Sequence, residues 1–105
     1  SDRVTDLVYR KIELEEEIRS IIEEQRSERK AILGVLKKLK SADERAVIRF
    51  RYLLGMNWYD VTDAMFGSKE DYLGKEDSYQ RRVYIIHGRA LLNIAIYFEE
   101  RGANR

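Results

Sequence analysis

The first forty residues hold one glycine and no proline, so nothing in them stops a helix. Val4, Leu7, Leu14, Ile18, Ile21, Ile32, Val35 and Leu39 recur at alternating three- and four-residue steps. That is the spacing of an a/d seam, and it lapses at Lys11, Gln25 and Glu28. A continuous helix of this length spans about 55 Å, from a rise of ~1.5 Å per residue. The rest of the chain makes a domain too small to cover it. Either the segment bends around Gln25–Arg29 into a helical hairpin, or its seam meets another chain. The favoured expectation is a long helix in a homodimer, with Leu7, Leu14, Ile18, Ile21, Ile32 and Val35 at the oligomer interface. Charge is also split along it: residues 13–24 carry six Glu against one Arg, and residues 26–40 carry six Lys or Arg against one Glu. Glu15, Glu16 and Glu17 against Lys37, Lys38 and Lys40 would suit an antiparallel pairing. The plainer alternative is a solvated helix laced by i,i+4 pairs such as Glu15–Arg19.

Composition closes off several classes. With no cysteine there are no disulfides and no thiolate metal sites, which fits a reducing, cytoplasmic setting. The single histidine, His87, has no Cys, Asp or Glu at helical spacing around it and cannot by itself build a zinc site. It reads as a packed or capping side chain beside the apolar stripe that contains Ile86. No apolar run is long enough to span a membrane, and no signal peptide is visible. The chain begins at Ser1 rather than Met, so natural residues are expected before it. No Ser/His/Asp set, glycine-rich phosphate loop or paired-carboxylate pocket is present, so neither enzyme activity nor a cofactor is expected. The carboxylates Glu15–Glu17 and Glu23–Glu24 read as a solvated helix face.

Beyond residue 40 the pattern changes to short helices. Ser41 can cap a helix with Glu44 at the capping-box spacing, and Ala46, Val47, Phe50, Leu53 and Leu54 form its apolar set. Gly55 suits the left-handed residue that ends it. Asn57 caps a second helix over Trp58–Phe66, with Trp58, Val61, Met65 and Thr62 inward, and Gly67 stops it. Ser68–Asp77 is polar and reads as a loop. The last helix is expected to start from an Asp77 or Ser78 cap and run to about Glu100. Val83, Ile86, Ala90, Leu91 and Ile94 lie on its buried stripe, and residues 101–105 form a frayed tail. Arg81, Arg82 and Arg89 lie opposite, with no acidic residue from 78 to 98. A cationic first turn opposes the helix dipole: either it is a basic, solvated helix face, or an external anion such as a DNA phosphate is held against that end. The expected architecture is all-α: an amphipathic helix over 1–40 and a helix-turn-helix domain over 41–100.

The ordered set Glu44-Arg45-Ala46-Val47-Ile48, Arg51-Tyr52, Gly55, Trp58, Val61, Val83 and Arg89-Ala90-Leu91 resembles region 4 of sigma-70-type factors. RYLLGMNWYDVTDAMF followed by YIIHGRALLNI is similar to small phage and prophage proteins of Gram-positive bacteria, some of which regulate late-gene transcription. The resemblance covers about residues 43–94, and the N-terminal helix in character only. It implies a DNA-binding regulator whose helix from residue 78 enters the major groove, with double-stranded DNA and host RNA polymerase as partners. On that basis Tyr79, Gln80, Arg81, Arg82 and Tyr84 are candidate readers of base edges, and Lys69, Lys75 and Arg89 candidate phosphate contacts.

The resemblance has one departure. The family's turn is short, whereas the segment 67–77 is extended and carries Glu70, Asp71, Glu76 and Asp77, which repel DNA. Residues 41–77 hold five basic and eight acidic side chains. A second class therefore stands beside the first: a protein-binding module, for instance an inhibitor of a host protein, that keeps the fold without strong DNA affinity. Phe50, Tyr52, Trp58 and Phe66 read as core. Tyr59, Tyr72 and Tyr79 read as exposed aromatics suited to either a protein or a DNA interface.

Overall fold

The computed structural model describes the backbone of residues 2–103 and the side chains of residues 2–100. Among the described residues the chain is all-α, with four α-helices, one π-helical turn and no strand. Helix α1 is Asp2–Leu36, α2 is Ala42–Ile48, the π-turn is Arg49–Leu53, α3 is Trp58–Phe66 and α4 is Glu76–Ala103. The chain divides into two units, residues 1–31 and 32–105.

In the first unit α1 runs without a break, so the hairpin alternative at Gln25–Arg29 is not adopted. Every described residue from Asp2 to Ala31 is exposed, the seam positions Leu7, Leu14, Ile18 and Ile21 included. Ion pairs on this stretch are Arg10–Glu13 at 3.2 Å and Lys11–Glu15 at 3.8 Å. Glu15 thus pairs back to Lys11 rather than forward to Arg19. Both pairs are solvent-exposed and contribute at most a few tenths of a kcal/mol each, roughly. Propensity and uninterrupted sequence make this helix, not packing within its own unit.

The second unit has a core in two parts. Leu36, Leu39, Ile48 and Ala90 form one cluster, with Ile32, Leu53 and Ile94 against it. Val47, Val61, Phe66, Tyr72, Val83 and Ile86 form the other, with Phe50, Met56, Trp58, Met65 and Tyr79 against it. Consecutive residues of α2, Val47 and Ile48, face different clusters, so this short helix is buried on two sides. Ile32 and Val35, two of the expected oligomer contacts, are half-buried, and Ile32 packs against the Leu36 cluster of its own chain. Lys37, Lys38 and Lys40, expected to face Glu15, Glu16 and Glu17 in an antiparallel pairing, lie beyond the end of α1. The helix ends at Leu36 and the lysines lie on the tight turn that follows, closed by Lys38 N–H to the Val35 carbonyl at 2.9 Å. Arg45 donates to the carbonyls of Leu39 and Lys40 at 2.8 and 2.9 Å, satisfying acceptors of the short link between α1 and α2.

Ser41 caps α2 as expected, its Oγ accepting from the Glu44 amide at 3.3 Å. The apolar set that follows is shifted. In the π-turn the Leu54 amide reaches the carbonyl of Arg49, five residues back, at 3.1 Å, and the extra residue delays the next inward position. Leu54 is exposed, while Ile48 is buried. Gly55 has φ +64°, the left-handed conformation that ends the segment. Asn57 Oδ1 then accepts from the Asp60 amide at 2.8 Å and starts α3 at Trp58.

Candidate nucleic-acid interface on α4

Between α3 and α4 the chain is a run of tight turns rather than an open loop. Amides of Lys69, Tyr72 and Lys75 bond the carbonyls three residues back, at 3.0, 3.1 and 3.0 Å. Tyr72 anchors this run: it is 5% exposed, in the core beside Phe66 and Val83. The expectation of an exposed Tyr72 is thus corrected, because a single aromatic in a polar stretch is drawn into the core by its large apolar area. Burial raises the phenol pKa of Tyr72, with the charges of Asp63, Tyr59 and Glu76 adding to it.

The start of α4 also differs from the expectation. The helix begins at Glu76, and Glu76 and Asp77 occupy its first turn, where carboxylates complement the dipole. Neither Asp77 nor Ser78 is the cap, and Arg81 and Arg82 fall in the second turn. The dipole therefore gives no reason for an external anion there. The Glu76 carboxylate accepts from the Gly74 amide at 3.0 Å. Bonds from its own amide and that of Gly74 lower its pKa. Gly74 has φ +92°, and its backbone makes this bond possible.

Asp71 is likewise tied into the turns. It accepts from the Tyr79 hydroxyl and pairs with Lys75 at 3.3 Å, and the Tyr79 bond is the main cause of its lowered pKa. Two of the four acids expected to repel DNA, Asp71 and Glu76, are thus structural. Among the expected contacts, Lys75 is already partnered and Tyr79 is a packing residue. The Tyr79 ring lies 5.1 Å from Phe66 and 5.7 Å from Tyr72, centroid to centroid.

All five candidate readers keep part or all of their surface in solvent: Arg81, Arg82 and Tyr84 are exposed, and Tyr79 and Gln80 are half-buried. Arg81 donates to Ser78 Oγ at 3.3 Å, and the Arg82 guanidinium lies 5.1 Å over the Phe66 ring. Of the expected phosphate contacts, Lys69 and Arg89 are exposed. No ion pair involves Arg81, Arg82 or Arg89 among the described residues. Sequence reasoning missed Ser78, which steadies Arg81, and Ile85, which is exposed on the same outward side of the helix.

Behind Tyr84 lies a second group. Trp58 meets Tyr84 and His87 edge to face, at 5.3 and 4.7 Å, and the Arg51 guanidinium covers the Trp58 ring at 4.7 Å. His87 Nε2 is 2.8 Å from the Tyr52 hydroxyl. Burial and then the charge of Arg51 lower the His87 pKa. His87 is a packed, hydrogen-bonded side chain as expected. Tyr52, expected in the core, is exposed.

Comparison with protein families, with curated proteins and with solved structures finds no match to this chain. No helix among the described residues is long and apolar enough to cross a membrane.

Proposed function

We propose that this chain is a sequence-specific DNA-binding transcription regulator of phage or prophage origin, acting in the bacterial cytoplasm, with a helix-turn-helix unit like region 4 of sigma-70-type factors. The observation that carries the proposal is the outward side of the first four turns of α4. There Arg81, Arg82 and Arg89 stand in solvent with no carboxylate partner among the described residues. Helix α4 enters the major groove with Arg81 and Arg82 toward guanine edges, Gln80 toward adenine, and Tyr84 and Ile85 toward thymine methyls. Arg89 and Lys69 bind phosphates and set the orientation. Contact with host RNA polymerase belongs to the same reading.

A selection of binding sites from random and source-genome DNA, followed by titration of the winner at several salt concentrations, tests it. One enriched motif is expected, with affinity that falls as salt rises. Arg81→Ala should cost about 1–3 kcal/mol and relax one position of the motif. Absence of enrichment, with weak binding untouched by Arg81→Ala and Arg82→Ala, removes the reading.

A second reading, a protein-binding module, is favoured by a different observation. Leu91, Leu92, Ile96 and Phe98 on the later turns of α4 are all exposed, a concentration of apolar surface that suits a protein partner. Pull-down with the Arg81→Ala chain separates the two, since a protein partner engaged through these residues survives that substitution.

A further inference from the structure

We infer that α1 pairs with the α1 of a second copy of this chain, antiparallel, in the register that sets Lys11 opposite Glu28. The inference is carried by the α1 seam and stands or falls separately from the DNA reading.

Residues 4, 7, 11, 14, 18, 21, 25, 28, 32 and 35 follow the three-four step without a break along one continuous helix. Leu7 is 63% exposed and Ile18 is 56% exposed, and Val4, Leu14 and Ile21 are exposed with them, so the apolar seam from Val4 to Ile21 lacks a partner in its own unit. The three polar members decide what covers them. In a parallel pair each residue meets its own copy, so Lys11 would face Lys11 and Glu28 would face Glu28 inside the seam. Like charges there are strongly unfavourable. In an antiparallel pair a positions face d positions, and one register sets Lys11 opposite Glu28 twice, once at each end. The same register sets Ile18 opposite Ile21 and Leu14 opposite Gln25.

The neighbouring registers, shifted by one heptad, fail on the same criterion. One sets Glu28 opposite Ile18 and Lys11 opposite Val35. The other sets Lys11 opposite Ile21 and Glu28 opposite Val4. Each leaves a charge against an aliphatic side chain. The favoured register has a cost as well, because Glu17 and Glu24 meet on its flank. A solvated like-charge pair of that kind costs only about 0.2–0.5 kcal/mol. Polar residues at seam positions lower stability and specify register and partner. Lys11, Gln25 and Glu28 act here in that way, and the occupant they specify is a reversed copy of the same helix.

Sedimentation equilibrium of the full chain tests the pairing. The chain should be dimeric. Lys11→Glu and Glu28→Lys should each weaken the dimer by about tenfold or more, as expected for a close interfacial charge pair. The Lys11→Glu/Glu28→Lys double variant should return most of the affinity. Orientation is read by oxidative cross-linking, since the chain has no cysteine of its own. Leu14→Cys mixed with Gln25→Cys should cross-link, whereas neither should do so alone, because the two copies of residue 14 lie roughly 16 Å apart along the axis. A monomer at the highest soluble concentration overturns the inference. So does self-cross-linking of Leu14→Cys, which marks a parallel pair, and so does a dimer indifferent to all of these substitutions.

Discussion

The Tyr79 hydroxyl donates to the Asp71 carboxylate across the turns that lead into α4. The bond ties the segment before the helix to its first turn and shifts both groups. It is the largest cause of the lowered Asp71 pKa and of the raised Tyr79 pKa. Tyr79→Phe keeps the ring against Phe66 and Tyr72 and removes only the bond. The Asp71 pKa should then rise toward the ordinary 3.8, as read by carboxyl-carbon NMR titration. With a depressed folded-state pKa, the stability that Asp71 contributes is present above its unfolded value and lost as pH falls through the folded one. Wild type should therefore exceed Tyr79→Phe in urea melts at neutral pH, and the gap should close in acid.

Tyr72 gives the opposite result for the same substitution. Its hydroxyl is buried without a hydrogen-bond partner among the described residues, so Tyr72→Phe removes a desolvated polar group and leaves the ring in place. Stability should be unchanged or rise by about 1 kcal/mol, where most core substitutions lower it. Denaturant midpoints compared with those of Tyr79→Phe check the contrast.

His87 sits where protonation is disfavoured, by burial and then by Arg51, so its pKa lies below the ordinary 6.5. Between the folded and unfolded values the unfolded chain binds more protons, and stability rises with pH through that window. The contribution is present above 6.5 and lost as pH falls through the folded value. His87→Gln should flatten this part of the pH profile. Proton NMR of the lone imidazole should give a midpoint below the ordinary value, and a midpoint above it would contradict the packing around Trp58.

Gly55 and Ser41 set the ends of the segment that contains α2. At Gly55 a Cβ would meet nothing within 4 Å, so only the backbone opposes a side chain. Gly55→Ala should cost about 1–2 kcal/mol through the left-handed conformation alone. Ser41→Ala, which removes the acceptor for the Glu44 amide, should cost about 1 kcal/mol. The two sites are remote enough for these losses to add in the double variant, as thermal or urea melts will show.

Local chemistry made much of this fold legible. Asn57 and the apolar spacing after it place α3 at Trp58–Phe66, as observed, because a side-chain cap and a short amphipathic turn act within a few residues. The start of α4 differs from the expectation for a reason that is also local. The polarity of Glu76 and Asp77 reads as loop, whereas carboxylates in a first turn favour a helix. Tyr72 and Leu36 were beyond such reasoning. One is a lone aromatic in a polar run and the other lies off the α1 seam, so only tertiary packing identifies them as core. On the proposed DNA face, the exposed arginines could be read from helical phase. The commitment of Tyr79 and Lys75 to Asp71 could not, since it depends on how the turns fold back.

The wide turn at Arg49–Leu53 carries one residue more than a regular helix needs to join the same two flanks. Chain length at this point is consequently decoupled from contact pattern. Excising a single residue there should close an ordinary α-turn and leave Val47 and Ile48 on their clusters and Gly55 at its corner. Any attempt to superimpose another sequence on this one by counting helical positions will slip by one on crossing Arg49. The register of α3 and α4 is better anchored from Asn57 onward.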